Sequence, residues 1–469
     1  MRFRIRPLGR SRWWVLAVAV ACGTAQAPAP ERPYDPVAGL ETFDAAWRIV
    51  HESHFDTTFN GIDWRALRDE LRPRAVAATD RAALRDVIGD MLSRLGQSHF
   101  ALFPQEVADP LDSEDRDDGA AAPNPADSAG AEVDTSPPEP AARVGDLGLD
   151  LRLIGDELVV TTVEPGGPAA AAGVRPGWVV VGIHDRPVAE LVARVREAPA
   201  RQSEAFLLWS LALARMAGPV GSTCPLAVRD GDGGEHRFEL VRWAQPSAPV
   251  KFGSMPTFFS RFESREARTP EGRRAGVIWF NFWMVPLIRQ VDSAVNAYRD
   301  LDGIVVDLRG NRGGLGVMIM GVAGHFFDQR VTLGTFRTRQ TPLRIAANPR
   351  LVDAAGTRVQ PFAGPVAVLI DEGSASASEV FAGGMRAVDR VRVFGSRSAG
   401  AVLPAIWDRL PNGDVLYHAF AEFVTATNER LEGHGVVPDH AVPVTRADLL
   451  AGRDPVLDAA LAWIDQRQP

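Results

Sequence analysis

Three serines alternate with small residues at Gly373-Ser374-Ala375-Ser376-Ala377-Ser378-Glu379. The run follows an apolar stretch over 366–370 and leads into a helix-like segment over 380–388. A serine at the end of a sheet can act as a nucleophile once a base takes its proton. A small-residue turn at a helix start also gathers backbone N–H groups where negative charge is welcome. The same residues suit a plain helix cap, with Glu379 completing a capping box on Ser376. A second turn, Asp307-Leu308-Arg309-Gly310-Asn311-Arg312-Gly313-Gly314, also follows an apolar strand-like run. Its glycines permit tight backbone conformations and close approach to a ligand. It reads as an ordinary strand-to-helix turn or as a backbone oxyanion site. It lacks the Lys-Ser/Thr pair of a phosphate loop.

A serine needs a base. The chain has one lysine, Lys251, against 50 arginines, and nine histidines at 51, 54, 99, 184, 236, 325, 418, 434 and 440. His99 stands out, because Ser98 precedes it in a loop just after a helix-like run. His434 and His440 are rivals. Cys224, in Ser-Thr-Cys-Pro, has no nearby base and reads as a small buried hydrophobe. With no HExxH motif and no Cys/His cluster, neither metal nor cofactor is expected.

The elements around these residues divide the chain. Its 469 residues suggest about two or three domains. Apolar residues make up 46% and charged residues 23%, the composition of a globular protein. A net charge of −8 argues against nucleic acid or an anionic membrane as the main partner. Residues 1–27 read as an export signal: five arginines, then a short apolar stretch over 13–21. It ends either at Ala25-Gln26-Ala27, or at Cys22 if Ala19-Val20-Ala21-Cys22 acts as a lipobox and Cys22 is lipidated. In that case a lipid is the expected tie to the membrane. The protein would be periplasmic, lipid-anchored or secreted. Residues 35–105 read as helical, with Phe43, Trp47, Val50, Trp64, Leu67 and Leu71 near helical spacing. Residues 106–142, rich in Asp, Glu, Pro, Ala and Ser, read as a disordered acidic linker. Residues 144–243 alternate short strands and Gly turns, with a long helical run over 188–216. From 250 to 469 strands alternate with helices, so the expected class is a multi-domain α/β protein.

Asp307 to Gly314, the 373–379 run and the late Leu431-Glu432-Gly433-His434-Gly435-Val436-Val437-Pro438-Asp439 together resemble the C-terminal processing (tail-specific) serine proteases. That resemblance implies a crotonase-like catalytic domain over 250–469. It also implies a PDZ domain over 144–243, in which Leu147, Gly148 and Leu149 hold a peptide by β-augmentation. Carried over to this chain, the nucleophile is Ser376, and the amides of Ala377 and of Gly313 or Gly314 form the oxyanion hole. One branch of the family uses a lysine base, but Ala401 stands at that position here. The tricorn core protease branch is similar instead. It implies His99 as general base and acid, with Ser98 and Glu432 orienting and stabilising it. The expected partner is a peptide or unfolded protein chain, cleaved through an acyl-enzyme. The alternative is a non-catalytic peptide- or ligand-binding member of the fold.

Overall fold

The computed structural model describes residues 34–105, 144–197, 203–245, 247–250, 258–353 and 356–467. The export segment with Cys22, the acidic linker over 106–142 and Lys251 lie outside the described residues.

Three helices open the described chain: Pro36–Ser53, Trp64–Val76 and Arg81–Ser93. Asp35, Asp63 and Asp80 cap them, each accepting a backbone N–H that the first turn leaves without a partner. Their apolar faces close on Phe43, Trp64, Leu71, Ile88 and Met91, together with Leu403, Leu410, Leu416 and Ala419 from far along the chain. The strand Ala101–Phe103 then pairs antiparallel with Val415–Ala419. Arg85 reaches the fully buried Asp414 at 2.6 Å, and Gln105 N–H donates to the same carboxylate. The N-terminal segment is therefore one body with the C-terminal region. That union fixes His99, which lies between the third helix and the strand.

A six-stranded antiparallel sheet builds the next unit, in the order Leu149–Ile154, Glu157–Val163, Val179–Ile183, Thr223–Arg229 and Glu235–Val241, with the short Arg186–Pro187 also pairing Val179–Ile183. The helical run over 188–216 resolves into two helices, Val188–Glu197 and Glu204–Met216. Buried Trp209 on the second donates its indole N–H to Asp150 Oδ1 at 2.7 Å. Its ring lies against the guanidinium groups of Arg152 and Arg312, 5.0 and 4.3 Å from the centroid. Arg152 pairs in turn with Asp371 at 2.6 Å. Asp371 Oδ1 accepts the N–H groups of Gly310 and Gly373. The β-rich unit is thus anchored to both loops singled out in the sequence.

The C-terminal region is built on a six-stranded sheet. Phe262–Arg268 runs antiparallel to Arg274–Phe280; Gly303–Asp307, Val366–Ile370, Arg392–Gly395 and His440–Ala441 continue in parallel. The 303–307 and 366–370 strands are buried throughout, as covered parallel strands must be. They are direct neighbours, Asp307 opposite Leu369, so the glycine turn and the serine run leave the same carboxyl edge side by side. Crevices at that edge are where open α/β sheets bind ligands.

Candidate active site

Helix Ala377–Ala387 starts directly after Ser376. Ser376 has φ 56° and ψ −117°, a conformation costing a non-glycine residue about 1–3 kcal/mol. Its N–H donates to the Ala401 carbonyl at 2.8 Å and to Glu379 Oε2 at 3.1 Å. Ser376 and Glu379 form a capping box, so the capping and nucleophile readings fall on one residue. The neighbouring serines differ from it. Ser374 is fully buried and donates to the Leu308 carbonyl at 2.8 Å. Ser378 is fully buried, donates to the Asn311 carbonyl at 3.0 Å and accepts the Trp283 indole N–H at 2.9 Å. Those two hydroxyls tie the serine run to the glycine turn; Ser376 is half-buried.

Gly313 presses against the turn at Ser376. A Cβ there would lie 2.6 Å from Ser376 Cβ and 2.9 Å from the Ala375 carbonyl oxygen, and φ is +100°. Gly313→Ala is therefore expected to displace the turn and lower kcat about 100-fold, while the far-UV circular dichroism stays that of the parent. Unchanged kcat in a peptide-cleavage assay would show that this contact does not matter. Among the amides expected to meet an oxyanion, Gly313 needs a correction. Its N–H donates to Asn311 Oδ1 at 3.0 Å, because buried Asn311 folds back into the turn while its amide group holds the Phe280 carbonyl. Gly314 forms a parallel bridge to Trp283 whose bonds use the Gly313 carbonyl and the Leu315 N–H, not its own N–H. Ala377, first in its helix, has no helical acceptor for its N–H. Asn311 is a residue the sequence reading passed over; an Asn two positions before a glycine in a tight turn was its only signal.

Away from the serine run, Ser98 Oγ lies 2.7 Å from His99 Nδ1 and 3.0 Å from Glu432 Oε2. Ser98 N–H donates to Glu432 Oε1 at 2.8 Å, and Val402 N–H to Glu432 Oε2 at 2.9 Å. His99 sits at φ 59°, with its ring 5.6 Å from that of Tyr417. Burial pushes the imidazole down to about 4. Burial raises the Glu432 carboxyl, against the pull of its donors. Ala401 accepts from Ser376 and the next residue, Val402, donates to Glu432. The Ser376 turn and the His99 network therefore hang on neighbouring peptide groups.

The rival histidines stand apart. His434 is exposed and its ring bonds the Glu432 carbonyl, not the carboxylate. His440 is exposed on the edge strand and stacks on Phe394. His418 has the look of a second triad, 2.6 Å from Asp408 and 3.0 Å from Ser53 Oγ. Ser53 Oγ, however, lies 2.7 Å from the Ile49 carbonyl at the end of its helix, and this buried group clamps that helix to the Val415–Ala419 strand.

The loop expected to receive a peptide end also differs from expectation. Leu147 and Leu149 are buried in the core of the β-rich unit. Gly148, at φ +67°, donates its N–H to Asp146 Oδ1 at 2.8 Å. A carboxylate of the chain itself thus occupies the middle amide of the loop. The Asp-x-Gly turn was legible in the sequence as a side chain that bonds its own backbone.

Among the described residues no group of side chains could hold a metal ion. A serine at a positive-φ helix start, beside a glycine turn at the carboxyl edge of a parallel sheet, is the arrangement of a serine-type peptidase. Residues 280–442 match peptidase family S41, and residues 40–93 match the tricorn protease C1 domain. The chain is 24% identical over 404 residues to the carboxyl-terminal-processing protease of Picosynechococcus sp., across 85% of this chain and 82% of that one. It is 25% identical over 406 residues to the chloroplastic carboxyl-terminal-processing peptidase 2 of Arabidopsis thaliana, across 86% and 68%. The fold is shared with the photosystem II D1 C-terminal processing protease, at TM-score 0.54 and 22% identity over 86% of this chain and 93% of that one. It is shared also with mature CPAF complexed with lactacystin, at TM-score 0.56 and 13% identity over 92% and 97%. Residues 280–442 therefore carry a peptidase family S41 domain, and the chain as a whole is similar to carboxyl-terminal-processing serine proteases.

Proposed function

We propose that this peptidase is an exported endopeptidase that cleaves unfolded or chain-end protein segments with a Ser376–His99–Ser98–Glu432 relay. The observation that carries the reading is the Ser98 hydroxyl, within hydrogen-bond reach of both His99 Nδ1 and Glu432. His99 takes the Ser376 proton as Oγ attacks the scissile carbonyl, and the imidazolium then donates through Nδ1–H to Ser98. Ser98 passes the interaction to the carboxylate, which stabilises the new charge. The oxyanion meets the N–H groups of Ala377 and Gly314. Collapse expels the amine with the proton from His99, and water hydrolyses the acyl-enzyme by the same steps.

The arginine-rich start and the A-x-A and Cys22 exits support export, with release or lipid anchoring as the two ends. No helix among the described residues is long and apolar enough to cross a membrane. The β-rich unit is read as PDZ-like, offering its edge strand Leu149–Ile154 to an extended peptide.

Glu432→Gln tests the relay. One face of the new amide must meet an N–H donor, Ser98 on one side or Val402 on the other. The expected result is a fall in kcat of about 10²–10⁴-fold on casein and on peptides, with KM little changed. Wild-type kcat would remove Glu432 from the mechanism.

A further inference from the structure

Glu379 is fully buried and stands beside the nucleophile, yet the relay does not use it. Its carboxylate accepts four hydrogen bonds. Oε1 takes Ser398 Oγ at 2.5 Å and Gly400 N–H at 2.8 Å. Oε2 takes Ala401 N–H at 3.0 Å and Ser376 N–H at 3.1 Å. A capping box explains only the last of these. The other three come from one turn, 398–401, on which the nucleophile also leans through the Ala401 carbonyl. Ser398 Oγ accepts Val436 N–H at 2.7 Å, and the Gly400 carbonyl accepts Gly433 N–H at 2.9 Å. The same turn continues into Val402, which donates to Glu432. Three successive amides, at 400, 401 and 402, are therefore shared between the buried Glu379 carboxylate and the half-buried Glu432 carboxylate. One carboxylate belongs to the nucleophile's helix and the other to the His99 network.

We infer that Glu379 is a positioning residue. It holds the strained backbone of Ser376 in register with the turn that seats Glu432, and so sets the distance between nucleophile and base. The inference rests on the proposed roles of Ser376 and His99. Ser376 occupies a φ/ψ region that a serine leaves unless neighbours fix it. The carboxylate supplies one such fixing contact directly and places the Ala401 carbonyl that supplies the other. Both Glu379 oxygens face only donors. Ser398 completes the pattern, because its oxygen already accepts Val436 N–H and its proton is free for Glu379. Burial raises the carboxyl to about 7 against the pull of these donors, in keeping with a charge held for a purpose other than stability.

A plain cap and a positioning residue differ in what glutamine does. A cap needs one acceptor, which Gln supplies. In this site the NH₂ of Gln would confront N–H donors whichever way the amide turns, so the 398–401 turn must shift. A displacement of about 1 Å at a catalytic group costs on the order of 100-fold in rate. Glu379→Gln is therefore expected to lower kcat about 100-fold on a short fluorogenic peptide while KM moves less than about threefold. Its rate of labelling by a fluorophosphonate should fall in parallel. Ser398→Ala removes one donor and is expected to lower kcat about tenfold at unchanged KM. It carries the test if the Gln variant does not fold. Wild-type kcat and labelling rate in Glu379→Gln, or wild-type kcat in Ser398→Ala where the Gln variant fails to fold, would overturn the inference. Wild-type enzyme that resists the fluorophosphonate, or Ser376→Ala that accepts it, would instead overturn the assignment of the nucleophile.

Discussion

Ser376→Ala is expected to abolish peptide cleavage, with kcat lower by about a million-fold, in a protein that still folds. The contrast with its neighbours makes the expectation specific. Ser376 is half-buried at a positive-φ turn, and its loss removes a helix cap worth about 1 kcal/mol. Ser378→Ala should do the opposite. It strands the buried Trp283 N–H and frees the Asn311 carbonyl, at a cost of about 1–3 kcal/mol in stability. Thermal unfolding and casein cleavage on the two variants separate the roles. Stoichiometric labelling by a fluorophosphonate, lost only in Ser376→Ala, would identify the attacking oxygen. If Ser376→Ala retains cleavage, the nucleophile lies elsewhere and the turn at 376 is only a cap.

Much of the scaffold was legible because its signals are local. The runs over 275–280, 303–306 and 366–370 are unbroken apolar stretches, and each lies in a strand. The glycine turn and the serine run are small-residue breaks after such strands, and both emerge at one sheet edge. What stayed hidden depends on segments distant in sequence. Nothing near Ser98 announces Val402, Glu432 was reached only through resemblance, and nothing in 35–105 announces the pairing with Val415–Ala419. Trp209 reads as one apolar residue on a helix, although it docks the β-rich unit on the glycine turn through Arg152 and Arg312. Glu379 reads as a cap residue, because three of its four donors lie about twenty residues on and only the tertiary fold delivers them. Resemblance picked out Ser376; in the structure the hydroxyls of Ser374 and Ser378 are buried and bonded to backbone carbonyls.

His99→Ala should be as damaging as Ser376→Ala, and the double variant no worse than either, because base and nucleophile act as one unit. The pH dependence carries the sharper test. An unperturbed imidazole titrates near about 6.5, and the sequence alone predicts an acid limb at about 6–7. Burial changes that. It disfavours the charged ring and lowers His99 to about 4. A lowered value means that the neutral, proton-accepting form persists into acid, so the limb belonging to His99 lies near pH 4. Burial acts in the opposite sense on Glu379, which is raised to about 7 and loses its charge as pH falls through neutrality. With Glu379 positioning the nucleophile, kcat/KM should fall in two steps: partly through about pH 7, then completely through about pH 4. Glu379→Gln should remove the upper step and keep the lower. His99→Ala should lack the lower step, its residual rate instead climbing with hydroxide. Full activity in His99→Ala would refute the base outright. A lower step that survives the removal of His99 would assign that titration to another group. The two groups, displaced in opposite directions by loss of solvent, exchange the places that an unperturbed histidine and glutamate would take, so the two variants, and not the positions of the limbs, assign each step.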